Sequence, residues 1–162
     1  TADRIKGLAA VCGEESSLPP LYVSLGELAH SLKAPTPALD KVLYAVKNAG
    51  YELAIPHCSP AAIKSNVPFT FYLSVFKELL KDSPYKFDDG TDSLRSKIWK
   101  SFAKMQLSLP TINFDKNESA IPDSKRFNAV RFPPNPEKNW GPKPKAKPPV
   151  KVARLDVEGD NK

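Results

Sequence analysis

Seven of the 17 prolines in this 162-residue chain fall between positions 133 and 149. A run so dense in proline cannot enter a helix or a sheet interior, because each ring fixes φ and removes a backbone donor. That stretch is expected to be extended, much of it polyproline-like, so any fold must be built from what precedes it. With 41% of the chain apolar, the remainder can bury one ordinary core. The expected organisation is a compact α+β domain over residues 1–109 and an extended, basic, proline-rich tail over 110–162.

The net charge of +6 is unevenly placed. Residues 1–124 carry 14 basic and 14 acidic side chains, residues 125–154 carry nine basic and one acidic, and the last eight residues return −2. A neutral body with a cationic arm suits a polyanionic partner, since clustered charge attracts phosphate more strongly than the same charge scattered. A solubilising tail or a nuclear import signal is the alternative. No apolar run approaches the roughly 18 residues of a membrane span, and the opening TADRIKGLAA lacks the order of a signal peptide. The protein is therefore expected inside the cell, without a membrane partner. Cys12 and Cys58 are too few for a disulfide framework and lack the paired spacing of a zinc site, so reduced thiols and no metal are expected.

Along the body, Ile5, Leu8, Ala9 and Cys12 recur at helical spacing and Gly13 follows as a stop, which predicts a helix over residues 2–12. Residues 21–23 read as a short strand. Ser24 and Glu27 form a capping box before a helix with Leu25, Leu28, Ala29 and Leu32 on one side, ended at Ala34 and Pro35. Thr36 and Pro37 then predict a helix start, with Leu39, Val42, Leu43 and Val46 inward and Gly50 closing it. Residues 51–55 and 62–66 read as a hairpin. A helix from Pro68 to about Lys81 turns Tyr72, Val75, Phe76 and Leu79 inward, and one from about Leu94 to Met105 does so with Leu94, Ile98, Phe102 and Met105. This order of elements predicts a small, mainly helical, winged-helix-like module with a short β-sheet. A cut after Ile121 is expected to leave it folded.

Chemistry is sparse. His57 and Cys58 are adjacent, and neighbours on a strand point to opposite faces, so a nucleophile pair is not expected; His57 reads as structural or RNA-contacting. There is no G-x-G-x-x-G and no Walker pattern, and no pair of carboxylates is placed for acid–base work. Lys41, Tyr44, Lys47 and Asn48 share one polar face of the predicted third helix, where cations beside an aromatic ring and an amide suit phosphate and ribose. Lys64, Ser65 and Asn66 offer a cation, a hydroxyl and an amide near a helix N-terminus, with a helix-capping Asn66 as the plainer reading. In the tail, Trp140 stands among Lys138, Lys143, Lys145 and Lys147, a stacking plane flanked by charges that can follow a backbone; otherwise the ring docks on its own domain.

The stretch LYVSLGELAHSLKAPTPALDKVLYAVKNAGYELAIPHCSPAAIKSNVP, with VRFPPNPEKNWGPKPKAK later, resembles the C-terminal region of the tRNA guanine-26 N2-dimethyltransferase family of eukaryotic type. That family has an A-G-Y turn leading to a histidine and then G-I-K-T-D-A-P, and a tail motif N-P-x-x-N-W-G-P-K-x-R-A. Here Ser65, Asn66 and Val67 stand where threonine, aspartate and alanine are usual, and Lys145 stands in place of the tail arginine. The resemblance implies a parent enzyme that transfers methyl groups from S-adenosylmethionine to the exocyclic amine of a tRNA guanine. The catalytic domain that binds this cofactor lies outside the resembling stretch, so the chain itself is expected to bind no cofactor and to hold tRNA for that domain in cis. Its expected RNA contacts are Lys41, Tyr44, Lys47, His57, Lys64, Ser65, Asn139, Trp140, Lys143 and Lys145, in a monomer of the nucleus or mitochondrion. The alternative function is a winged-helix-like protein-interaction module with a basic nuclear-import tail.

Overall fold

The computed structural model describes residues 2–88, 90–105, 109–127 and 129. The chain divides into two units, Thr1–Phe132 and Pro133–Lys162, and the described residues all belong to the first. Asn139, Trp140, Lys143 and Lys145, with the expected extended tail around them, lie outside the described residues.

The elements run α1 (Ala2–Glu15), β1 (Tyr22–Ser24), α2 (Leu25–Leu32), α3 (Leu39–Asn48), β2 (Leu53–Ala54), β3 (Ala62–Ser65), α4 (Phe69–Leu80), α5 (Leu94–Lys104), a 3-10 turn at Glu118–Ala120 and α6 (Asp123–Arg126). This is an α+β arrangement in the order read from the sequence as far as α5. β3 is the central strand of an antiparallel sheet ordered β1-β3-β2, with Tyr22 opposite Lys64 and Ala54 also opposite Lys64.

Local signals hold where start, stripe and stop agree. The Ser24 hydroxyl accepts from the Glu27 N–H, and Leu25, Leu28, Ala29 and Leu32 are all buried. Gly50 ends α3 at φ +84°, where the Gly50 N–H donates to the Lys47 carbonyl and the Tyr51 N–H to that of Val46. These two bonds satisfy helix-end carbonyls, and only glycine reaches that φ without strain. The core gathers α2, α3 and α4 around Phe71 and Phe76, each nearly solvent-free. Burying rings of this size stabilises the fold by about 1.5–3 kcal/mol each.

Several expectations are corrected. α1 runs through Gly13 to Glu15, and it buries Gly7, Val11 and Glu15 instead of Ile5, Leu8, Ala9 and Cys12. Ile5 and Leu8 are 63% and 44% exposed. The cause is polar: α1 is apolar on more than one side, and its rotation is set by Glu14 and Glu15, which find partners on α6 and the sheet. α3 opens two residues late, at Leu39, and Thr36 caps nothing. The chain stays extended past Pro35 and Pro37, whose rings disfavour helical geometry in the residue before each.

β2 is shorter than residues 51–55, because the backbone of Glu52 is taken by side chains: its N–H donates to Asn66 Oδ1 at 3.0 Å and its carbonyl accepts from Ser65 Oγ at 2.6 Å. Asn66 therefore splints the hairpin and caps no helix. On α4 the inward set also takes in Phe71, Leu73 and Leu80, while Leu79 is only half buried. On α5, Leu94 and Met105 are exposed, Ile98 and Phe102 are half buried, and the inward place goes to Trp99, 5% exposed. Trp99 packs edge-on against Phe87 and Phe102, and its indole N–H donates to the Tyr85 hydroxyl at 3.1 Å. A large aromatic with a satisfied donor displaces smaller apolar residues from the inside.

The largest revision concerns residues beyond 109. The compact unit does not end there, because residues 112–127 lie against the body as a strap. Ala120 is fully buried, Ile112 and Phe114 pack on the core, and the Ser124 N–H and Oγ both donate to the Glu14 carboxylate at 2.6 Å.

Candidate nucleic-acid interface

The polar face of α3 was expected to be free for RNA, and the strap occupies much of it. Asn48 donates through Nδ2 to the carbonyls of Asn113 and Asp115, at 3.1 and 3.0 Å, and accepts from the amide of Asn117. In the first turn, at the other end of the helix, Asp40 receives Lys125 Nζ at 2.7 Å. Helical geometry places Asp40, Tyr44 and Asn48 on one side, so the strap is tied at both ends of the row that Tyr44 bisects. Tyr44 itself is half buried and packed on the core. Lys47 is half buried, and Lys41 is exposed at the rim of a shallow hollow formed with Pro35, Pro37 and Phe76.

His57 and Lys64 are brought together, and they converge on a third residue, Glu15, that the sequence reading did not single out. The ring Nδ1 of His57 hydrogen-bonds to Glu15 Oε1, which also accepts the His57 backbone N–H at 3.4 Å. Lys64 Nζ reaches Glu15 Oε2 at 3.4 Å, and the lysine side chain is only 14% exposed. Burial of Glu15 favours its protonated form, but the hydrogen bonds from the His57 ring and backbone and the Lys64 charge outweigh that. The carboxyl is held below its ordinary value and is ionised at neutral pH.

Lys64 is thereby spent on an internal ion pair, while the His57 ring keeps half its surface open. Ser65 is spent too, donating to Glu52 and accepting the Val67 N–H at 3.1 Å. Cys58 lies against the Tyr22 hydroxyl, so the adjacent ring and thiol go to different partners. His30 is exposed on α2, as its helical position predicts. Glu15 was invisible beforehand because a carboxylate three residues after Cys12 reads as solvated surface until a partner at position 57 is known.

A second feature is apolar. Leu21, 82% exposed, with Tyr22, Phe69 and Tyr72, lines an open groove of about 550 Å³ between β1, α2 and the start of α4.

Residues 1–77 match the family model of N2,N2-dimethylguanosine tRNA methyltransferase. The tRNA (guanine(26)-N(2))-dimethyltransferase of Mus musculus is 32% identical over 159 residues, 98% of this chain and 23% of the relative. That of Caenorhabditis elegans is also 32% identical, over 98% of this chain and 29% of the relative. The chain belongs to this family. The mitochondrial dimethyltransferase of Saccharomyces cerevisiae is a further relative, 31% identical over 88% of this chain and 26% of its own length. No solved structure matches. This family member spans about a quarter of the length of the curated relatives, from 23% to 29% of those named here.

Methyltransferases of this type use S-adenosylmethionine, and the described residues do not fit that cofactor. Among the described residues the sheet is antiparallel throughout, and no glycine-rich turn links a strand to a helix N-terminus to cradle the nucleoside. No helix among the described residues of this family member is long and apolar enough to cross a membrane.

Proposed function

We propose that this chain is the tRNA-holding, winged-helix-like portion of an S-adenosylmethionine-dependent tRNA guanine-26 N2-dimethyltransferase. Methyl transfer then belongs to a catalytic domain of the longer enzyme. The observation that carries this reading is similarity to tRNA dimethyltransferases across 98% of a chain whose described part lacks a cradle for the methyl donor. The sheet order β1-β3-β2, with the β2–β3 hairpin after two packed helices, is the arrangement that supports the winged-helix comparison. The stretch 125–154, at +8, supports a polyanionic partner.

The grip assigned to this chain has two parts. The arm around Trp140, with Asn139, Lys143 and Lys145, supplies a stacking plane and phosphate contacts. Lys41, Lys47 and the open edge of His57 supply the contacts of the body. Tyr44, Lys64 and Ser65 serve the interface by holding its shape. The tRNA would be met in the nucleus or the mitochondrion.

The test is anisotropy of labelled tRNA titrated with the full chain and with a chain cut after Phe132, at several salt concentrations. Loss of the arm is expected to weaken binding at least severalfold and to flatten the dependence of log K on log salt, whose slope counts phosphates neutralised at about 0.7–0.9 each. Equal affinity and equal slope for the two chains would overturn the arm as the grip. The apolar groove beside Leu21 and Phe69 favours a second reading, a protein-interaction module with a basic import tail. Absence of tRNA binding at low salt would leave that reading standing.

A further inference from the structure

We propose that Cys12, Glu15 and His57 form a binding site for a divalent transition metal of the zinc class. The thiol sulfur, a carboxylate oxygen and a ring nitrogen all lie within 4.8 Å of one another. In a four-coordinate zinc site, metal–ligand bonds near 2.0–2.3 Å set ligand–ligand separations of roughly 3.3–3.8 Å, so small side-chain rotations complete the site. A thiolate, an imidazole and a single carboxylate suit a borderline-soft metal; magnesium or calcium would call for more oxygen ligands.

The surroundings fit a metal more closely than three ligands alone require. Glu15 is only 5% exposed, so its carboxylate is fixed, and its other oxygen is held by Lys64 Nζ at 3.4 Å. A charged group hydrogen-bonded to a ligand's free oxygen is the usual way a metal site orients its carboxylate. Cys12 and His57 are both on the exposed side, which leaves an entry path and an open fourth position. The charges balance as well: a divalent ion with one thiolate, one carboxylate and a neutral imidazole is uncharged overall, next to the Lys64 cation. On binding, the Cys12 thiol releases its proton to solvent, and the His57 proton facing Glu15 moves to the far ring nitrogen. The second cysteine, Cys58, is not in the cluster of ligand atoms. Such a metal would pin the C-terminal end of α1 to the loop that follows β2.

The experiment uses the full chain, stripped with a chelator and titrated with Co2+ under reducing conditions. A sulfur-to-cobalt charge-transfer band saturating at one equivalent, and bleached by Zn2+, is expected. Cys12→Ser should abolish the band, His57→Ala should weaken cobalt affinity at least tenfold, and Cys58→Ser should leave the band unchanged. Cys12 is exposed, so its replacement leaves the fold intact, and circular dichroism verifies this for each variant. Zn2+ should also raise the Tm of the wild-type chain but not that of Cys12→Ser. No sulfur–cobalt band, or a band that survives Cys12→Ser and disappears with Cys58→Ser, would overturn the site.

Discussion

Asn48 and Asn117, 69 residues apart in sequence, are joined amide to amide at 2.8 Å. The same Asn48 side chain donates to two strap carbonyls, so one residue on α3 fastens residues 113–117 across the helix. The face that sequence periodicity offers to RNA is thereby largely a binding surface for the chain's own strap.

Asn48→Ala removes three hydrogen bonds while leaving two strap carbonyls and an amide without their partner. A loss of about 1–3 kcal/mol is expected, since these groups regain water only in part. Limited proteolysis checks the location: cleavage within residues 109–122 should accelerate, with α2 and α4 still protected.

Trp99 anchors α5 through an aromatic stack and a relay in which its N–H donates to Tyr85 and the Tyr85 hydroxyl donates to the Leu32 carbonyl at 2.5 Å. Trp99→Ala should cost about 3–5 kcal/mol in denaturant unfolding followed by circular dichroism. Leu94→Ala, at an exposed position on the same helix, should stay within about 0.5 kcal/mol.

Tyr72 supplies an alkaline signature. Burial pushes its phenol up to about 12 from 10.0, against a smaller opposing pull from its bond with Ser65. A folded value above the unfolded one means the fold prefers the neutral ring. That contribution is complete below pH 10.0 and is lost as pH climbs toward 12. Between these values the wild-type Tm should fall more steeply than that of Tyr72→Phe, which at neutral pH gives up only the Ser65 bond, about 1 kcal/mol.

The Ser124–Glu14 clip decides where the tail can be cut. Both the N–H and the hydroxyl of Ser124 are bound to Glu14, and Ser124 is 4% exposed. Truncation after Ile121 should lower the Tm by several degrees, because it strands the Glu14 carboxylate and frees Asp40 from Lys125. Truncation after Phe132 should leave the Tm unchanged.

By itself the sequence determined the elements whose signals are local. The Ser24 cap, the Gly50 stop and the apolar stripes of α2 and α3 each depend on residues within one or two turns, and backbone sterics with 3.6-residue periodicity suffice to read them. The family was legible as the resemblance of two residue stretches, 21–68 and 130–147, to a known family, and the cationic arm was legible from the placement of charge. Tertiary structure alone decided the rotation of α1, the burial of Trp99 over Leu94 and Met105, the fastening of the strap to Asp40 and Asn48 and the convergence of His57 and Lys64 on Glu15. In each case a polar group had to find a partner many positions away, and the desolvation cost of leaving it unpaired outweighed local apolar preference. Such pairings leave no periodic trace in a single sequence, because the residues that satisfy one another share a place only after the chain has folded.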